Sequence, residues 1–465
     1  MVMSMTFMLI NNAFSQAASR KIILISTNDP HGRLDNFPKM AAYVQFLKRT
    51  NPEVFVLNAG DLVDGNPIID QIKDKGAPII DIMNSVPYDV SCLGNHELEL
   101  NDTILRRRVS QSTSVFVDAN IKIANGSVAP PFKSYTTLIA GDGLKIAVFG
   151  LTATSTNPCT LHDLVVTEPI QAALSLDTLR HNHDIVIGLT HIGFHADSIL
   201  ATKMPGVDII IGGHSHTAIP HGKFVNGVLI TQTGSYMKYL GKTILTIENN
   251  RIVNKTFELV DFSTIENIDS GLDAKIKGYN ETIDLDKQVG IANADFPDKE
   301  SIGYLRADAI ATELNLQIAF DHSRNISFTH LPAGKITLGD VYKMDPFNYK
   351  IYRYYLTAAE IRSLIKAASA YNAIKPPLYC SGINYTLIRS SEGKQDSIIL
   401  KKGRRQLSER KRYSVGINSF VACRFMPDNL KYDTIAYTTP ELLLKFLADH
   451  KRVDYSKTRR VDILK

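Results

Sequence analysis

The stretch Val207–His216, VDIIIGGHSH, decides the reading of the first half of the chain. The run of three isoleucines, Ile209–Ile211, suits a strand covered on both faces, and it then stops at Gly212 and Gly213. His214 and His216 follow with only Ser215 between them, and a buried strand has no packing use for two imidazoles at its end. The same pattern recurs upstream. KIILIST (Lys21–Thr27), EVFVLNAGD, YDVSCLGNHE, LKIAVFGLT and HDIVIGLTHIG are short Val/Ile/Leu runs that end at Gly, Asn, Asp or His. Helical patterns lie between them, in FPKMAAYVQFLKRT, PIIDIMNSV and PIQAALSLDTLRHN. Such alternation predicts an α/β layered domain.

In an open α/β sheet the carboxyl ends of the strands converge on one crevice, where ligands bind. The polar residues at those ends are Asp29 and His31, Asp61, Asn95 and His96, His191, and His214 and His216. Oxygen donors mixed with imidazoles, and no thiolates, favour divalent ions of the Mn, Zn or Fe type, with Mg or Ca also open. So many ligands around one central carboxylate suit two ions. Paired ions polarise a phosphoryl oxygen, generate hydroxide from water and stabilise the entering and leaving oxygens of an in-line displacement. The remaining histidines, among them His162, His195, His322 and His450, read as surface or packing residues.

Composition bounds the alternatives. The 465 residues are 44% hydrophobic and 21% charged, enough for two or three domains. A net charge of +5 on this length gives no general affinity for nucleic-acid polymers or membranes. The densest basic stretch, KKGRRQLSERKRY, reads as a solvated hairpin loop between the strand-like runs DSIIL and YSVGI. Cys92, Cys159, Cys380 and Cys423 form no close pair, which excludes a zinc ribbon or a disulfide-dense scaffold. Residues 1–19 hold a short apolar run, MTFML, and small residues in FSQAAS, the pattern of a signal peptide without its basic start. The expectation is a periplasmic or secreted protein, with a cytosolic leader as the alternative. No segment approaches the length of a membrane span.

After about residue 220 the texture changes. GVLITQTG and YLGKTILTIENNRIVNKTFELV read as hairpin strands closing the sheet. NIDSGLDAKIKGYNETIDL reads as a polar connector helix, and SIGYLRADAIATEL opens a second domain. The division expected is 20–265, a connector over 266–290, and 291–465.

The elements Asp-x-His, Gly-Asp-x-x-Asp-Gly, Gly-Asn-His-Glu and Gly-Gly-His-Ser-His, in this order, resemble the calcineurin-like metallophosphoesterases, and more narrowly the 5′-nucleotidase family. The resemblance implies a four-layer α/β/β/α sandwich with a second α/β domain that binds substrate. It implies that Asp29, His31, Asp61 and His216 hold one ion, and that Asp61, Asn95, His191 and His214 hold the other. His96 would stabilise charge on the phosphate. Where the family places an Asp to orient that His, this chain has Glu99. The second-domain stretches SIGYLRADAI, LPAGKITLGDVYKMDPFN, YCSGINYTL and YSVGINSF are similar to the family's, and the last puts its base-stacking aromatic at Phe420.

Two departures fall in that domain. DHSRNIS stands where the family has Asn-x-Gly-Gly-Ile-Arg, so the Asn position becomes Asp321 and Arg324 is the only nearby guanidinium. ACRFMPDN stands where Gly-Gly-Asp-Gly is expected. The substrate contacts expected are therefore Asn95, Asp321, Arg324 and Phe420. The function implied is an exported dimetal hydrolase in which hydroxide made at the metals attacks the phosphorus of a small phosphate ester, a nucleotide first. Alternatives are a 2′,3′-cyclic phosphodiesterase or nucleotide-sugar hydrolase, and a metal-binding module without turnover. Oligomeric state is left open.

Overall fold

The computed structural model describes residues 19–464, apart from 124, 142, 155–160, 324, 325, 327, 372–375, 390–396 and 428. Arg324 and most of the leader thus lie outside the described residues. Two six-stranded sheets pack face to face in the first half. In one, Arg20–Thr27, Val54–Ala59 and Val90–Cys92 run parallel, and the hairpin Tyr239–Glu248/Arg251–Asp261 is added antiparallel at one side. In the other, Leu144–Thr152, Ile185–His191, Ile209–Gly212 and Val228–Thr231 run parallel.

The reason the runs are continuously apolar is visible in the packing. Ile22, Leu24, Leu57 and Val90 from one sheet meet Ile146, Val148, Ile187 and Ile209 from the other in a fully buried layer. Alternate residues of the same strands face outward onto helices: Ile23, Ile25 and Val56 meet the side of Phe37–Thr50, and Val186 and Ile210 meet Phe194–Lys203. Neither face of these central parallel strands is solvated, so alternation would have been the wrong pattern there, whereas the edge strands Tyr135–Ala140 and Arg251–Asp261 keep exposed residues. The result is the helix–sheet–sheet–helix sandwich. GVLITQTG and the long hairpin, expected to close the sheet together, are divided between the two sheets: Val228–Thr231 joins the second and the hairpin joins the first.

The helix Ser270–Asn280 is docked rather than free. Leu272 and Ile276 enter the first core, Gln45 Nε2 donates to Asp269, and Tyr279 Oη donates to Asp81. Beyond it, helices Lys299–Glu313 and Thr439–Asp449 pack together beside a five-stranded sheet. DSIIL and YSVGI do not share a sheet. Ser397–Lys402 belongs to a four-stranded sheet and Arg412–Asn418 to the five-stranded one. The basic run between them is exposed, and Gly403 makes its tight turn. Among the described residues no helix is long and apolar enough to cross a membrane.

Candidate metal centre

The parallel strands of both sheets end at one edge, and the loops that follow carry the histidines and carboxylates predicted from the sequence. Asp29, His31, Asp61 and His216 offer ligand atoms that all lie within 4.8 Å of one another, and Asp61, His191 and His214 form a second such group. Asp61 is common to both. Asn95 completes the second group, its Oδ1 standing 2.7 Å from His214 Nδ1. The loops therefore bring together the whole predicted ligand set.

The backbone at these positions is strained. Asp29, His31, Asp61, His214 and His216 all take left-handed φ values, between 45° and 77°. Non-glycine residues adopt this region rarely, at about 1–3 kcal/mol each, and keep it where surrounding structure fixes it. What fixes it here is a set of buried bonds. The Glu97 carboxylate accepts from the backbone N–H of Asp61 (2.9 Å), Leu62 (2.7 Å), Val63 (3.0 Å) and Gly94 (2.7 Å), clamping two loops together. Asn28 Nδ2 donates to Asp29 Oδ2 at 2.6 Å, while Asn28 Oδ1 accepts from Thr233. Glycine is required at two close approaches. A Cβ on Gly94 would strike the Asp61 carboxylate, and one on Gly213 would come 2.7 Å from both His191 Nδ1 and Ala59 O.

Does this geometry fit cations? Ligands about 2.1 Å from one ion stand about 3–3.5 Å apart. The structure places His191 Nε2 3.0 Å from Asp61 Oδ2, His216 Nε2 3.2 Å from Asp29 Oδ1, and His31 Nε2 3.7 Å from Asp29 Oδ1. His191 Nδ1 donates to Ala59 O at 2.7 Å, which leaves Nε2, buried and without a hydrogen-bond partner, facing the carboxylates. That second-sphere bond is the usual way a ligating imidazole is oriented. Burial alone would lower the His191 pKa, yet the Asp61 and Asp29 charges push it up to about 10. Burial likewise opposes a charge on Asp61, but His191 and its neighbours hold it well below the usual carboxylate range. Next door the balance reverses: burial, helped by His96 and His216, brings His31 down to about 4 despite Asp61 and Asp29. The cage thus holds charged oxygens beside imidazoles that cannot all be protonated. A divalent cation resolves the conflict and the residues fit it.

His96 stands at the rim, its ring 5.3 Å from that of His31. Glu99 reaches it, with Oε1 3.4 Å from His96 Nδ1, so the longer side chain still meets the ring. Burial works against a charge on His96, but Asp61, Asp64 and Glu99 push its pKa well above the usual histidine range. Sequence reasoning overlooked Asp64, Glu97, Asn28 and Tyr236. Asp64 and Glu97 lie inside the quoted motifs, so their spacing was the available signal. Tyr236, whose ring lies 5.4 Å from His31 and 5.8 Å from His216, had none, since it arrives from 205 positions away in a loop without a motif.

The second-domain candidates are placed differently. Asp321 is fully buried, and Arg306 Nε lies 2.8 Å from its Oδ2, while Asn418 Nδ2 and the His322 N–H donate to its Oδ1. Arg306 also pairs with Asp345 at 3.1 Å. Asp321 is thus bound into an interior ion pair, closed to solvent as the domains stand. Phe420 lies in the first turn of helix Ser419–Phe425 rather than on a strand. Its half-buried ring contacts Tyr349 (5.8 Å), and Tyr349 stacks on Phe347 (5.3 Å, 17°), which in turn stacks on His96 (6.3 Å, 20°). A row of rings therefore runs from the second domain to the first-domain site.

A sandwich of this type with Asp/His loops at one sheet edge, carrying a second α/β unit, defines a two-domain phosphoesterase architecture. Residues 24–218 match the calcineurin-like phosphoesterase family and residues 283–424 match the 5′-nucleotidase C-terminal domain, and the chain belongs to this two-domain 5′-nucleotidase family. It is 25% identical over 405 residues to the trifunctional nucleotide phosphoesterase protein YfkN of Bacillus subtilis, covering 74% of this chain and 27% of that one. It is 29% identical to human 5′-nucleotidase, over 48% of this chain and 46% of that one. The chain thus spans between about a quarter and a half of the length of these relatives. A crystal structure of a 5′-nucleotidase precursor from Thermus thermophilus superposes with a TM-score of 0.75 at 21% identity, over 96% of this chain and 99% of that one.

Proposed function

We propose that the protein is a two-metal phosphoric ester hydrolase acting on small phosphomonoesters, nucleotides first. One observation carries this reading: two ligand groups, each compact enough for one ion, share the single carboxylate of Asp61. Asp29, His31, Asp61 and His216 would hold one ion, and Asp61, Asn95, His191 and His214 the other. When bound, such a pair supplies Lewis acidity to the phosphoryl oxygens and acidifies water.

The chain's own residues do the rest. Ala59 O keeps His191 in the tautomer that presents Nε2 to the site. The Glu97 clamp holds the Asp61 loop in its strained form, so the ligands are in place before substrate arrives. His96, positively charged and directed to the rim, would bind a non-bridging phosphate oxygen and stabilise the charge that grows there. Phe347 of the second domain covers the imidazole face and excludes water from that side. The apolar run MTFML and the small residues after it support export, which fractionation of the native host would test.

The test is hydrolysis of a chromogenic phosphate ester by wild type, chelated wild type and Asp61→Asn, with metal analysis on the same samples. Activity should vanish on chelation, return with divalent ions, and stay low in the variant. Undiminished turnover after either treatment would refute the reading. A specific observation favours a second substrate class. The Phe420 ring already contacts Tyr349, and Asp321 is already paired, so a phosphate ester without a stacked base is the runner-up. A panel of AMP, 2′,3′-cyclic AMP, a nucleotide sugar and a simple sugar phosphate separates them.

A further inference from the structure

Two carboxylates, not one, face the same ring nitrogen of His96. Asp64 Oδ2 lies 3.3 Å from His96 Nδ1, and Glu99 Oε1 lies 3.4 Å from it. They arrive by different routes. Glu99 stands three residues on, in a single 3-10 turn, and its side chain is long and rotatable. Asp64 comes from the loop after Val54–Ala59 on a backbone held at φ 79°, a left-handed conformation that Asp and Asn tolerate better than most residues.

That loop is fastened independently of His96. Asp70 accepts from the Asp64 N–H at 3.1 Å through one oxygen and from the Asn66 N–H at 2.9 Å through the other. Asn66 Nδ2 donates to Gly32 O at 2.7 Å, tying the turn to the Asp29–His31 loop. The second domain then closes the space. Asp64, Asp70, Lys75, His96 and Glu99 line a small cavity bordered by Pro346 and Phe347. Asn348 Nδ2 donates to Asp70 O at 3.4 Å from the same segment.

We propose that Asp64 is a positioning residue for His96, sharing its Nδ1–H with Glu99 and fixing the ring so that Nε2 faces the substrate phosphate. This rests on the reading of His96 as the phosphate-stabilising group. Physically, a short side chain on a fastened loop supplies the geometric precision that the longer Glu99 lacks, and a second oxygen beside the same nitrogen limits how far the ring can turn.

The experiment compares Asp64→Asn, Glu99→Gln, the double variant and His96→Asn, each loaded with manganese, on a chromogenic phosphate ester. Asn accepts the left-handed backbone, so Asp64→Asn should keep the fold. Each single change should lower kcat about three- to tenfold, and the double change about 100-fold, with KM and metal content unchanged. The Nδ1 proton signal of His96 in NMR spectra of the same proteins loaded with diamagnetic magnesium or zinc, which a merely structural role would not move, should shift in Asp64→Asn and be lost in the double variant. Three results overturn the proposal: a double variant no worse than Glu99→Gln alone, an unshifted Nδ1 signal in Asp64→Asn, or loss of metal from Asp64→Asn. A fully active His96→Asn sinks the underlying reading of His96, whereas an inactive His96→Asn beside a fully active double variant sinks the positioning roles of Asp64 and Glu99 and leaves the reading of His96 standing.

Discussion

Two buried polar clusters sit on either side of the domain seam, and they resolve their charges in opposite ways. Around Arg306 the second domain collects Asp321, Asp345 and Asn418, and the guanidinium answers both carboxylates from within the chain. Around Asp61 the first domain collects Asp29 and four imidazoles, and among the described residues the ion pairs of Asp29 and Asp61 are with histidines only. In the first cluster one guanidinium bridges two carboxylates and so ties the fold together. The second is arranged on strained backbone and lacks a fixed cation. What sets the second apart is that its carboxylates have imidazoles, which are also metal ligands, where the first has a guanidinium, which is not.

The sharpest way to break this contrast is to remove one charged group from each. Asp61→Asn should lower hydrolysis by about a thousandfold or more, because the two proposed ions would lose their shared ligand. The protein should stay folded, as read by thermal denaturation and metal analysis. Arg306→Met should do the reverse. It strands two buried carboxylates, which costs about 3–5 kcal/mol, and it should show as a drop in the denaturant midpoint with metal content of the surviving folded protein intact. If Arg306→Met left stability unchanged and abolished activity, the guanidinium would belong to the substrate site and the contrast would fail.

A smaller effect probes the ring row between the two clusters. If a base stacks on Phe420, Phe420→Ala should raise KM for AMP about tenfold and leave a base-free phosphate ester unaffected. Equal changes for both would assign Phe420 to packing against Tyr349 and His322.

The smallest effect concerns Asp197, fully buried behind His191, where Thr190 Oγ1 and Gln232 Nε2 donate to its two oxygens. Burial pushes its pKa up to about 7 against those bonds. A folded-state value above the unfolded one stabilises at low pH and loses that contribution as pH rises toward 7. Asp197→Asn should therefore flatten the decline in stability between about pH 4 and 7, measured by urea titration at several pH values. An unchanged slope would show that the carboxylate is charged in the fold throughout.

Much of this was readable in the order of residues. Continuous apolar runs gave strands covered on both faces, and the helix predicted in FPKMAAYVQFLKRT spans Phe37–Thr50. The side chains that cluster were legible because each follows a strand end beside a turn residue, so one local rule picked them out. Asp64 and Glu97 were within view and passed over, since their work is to hold other groups and spacing alone does not reveal a hydrogen bond. The Asp321 position was misleading because its partner Arg306 lies on a helix whose sequence gives no hint of which way the guanidinium points.

Chain order alone determined the layered class and the list of metal-type side chains, because periodicity and strand-end chemistry are local properties. Only the folded arrangement decided which of those groups share a carboxylate, that five of them sit on left-handed backbone, and that Phe347 from the second half covers His96. Those are relations between residues as many as 250 positions apart, and no short-range rule carries them; sheet register and loop clamps do.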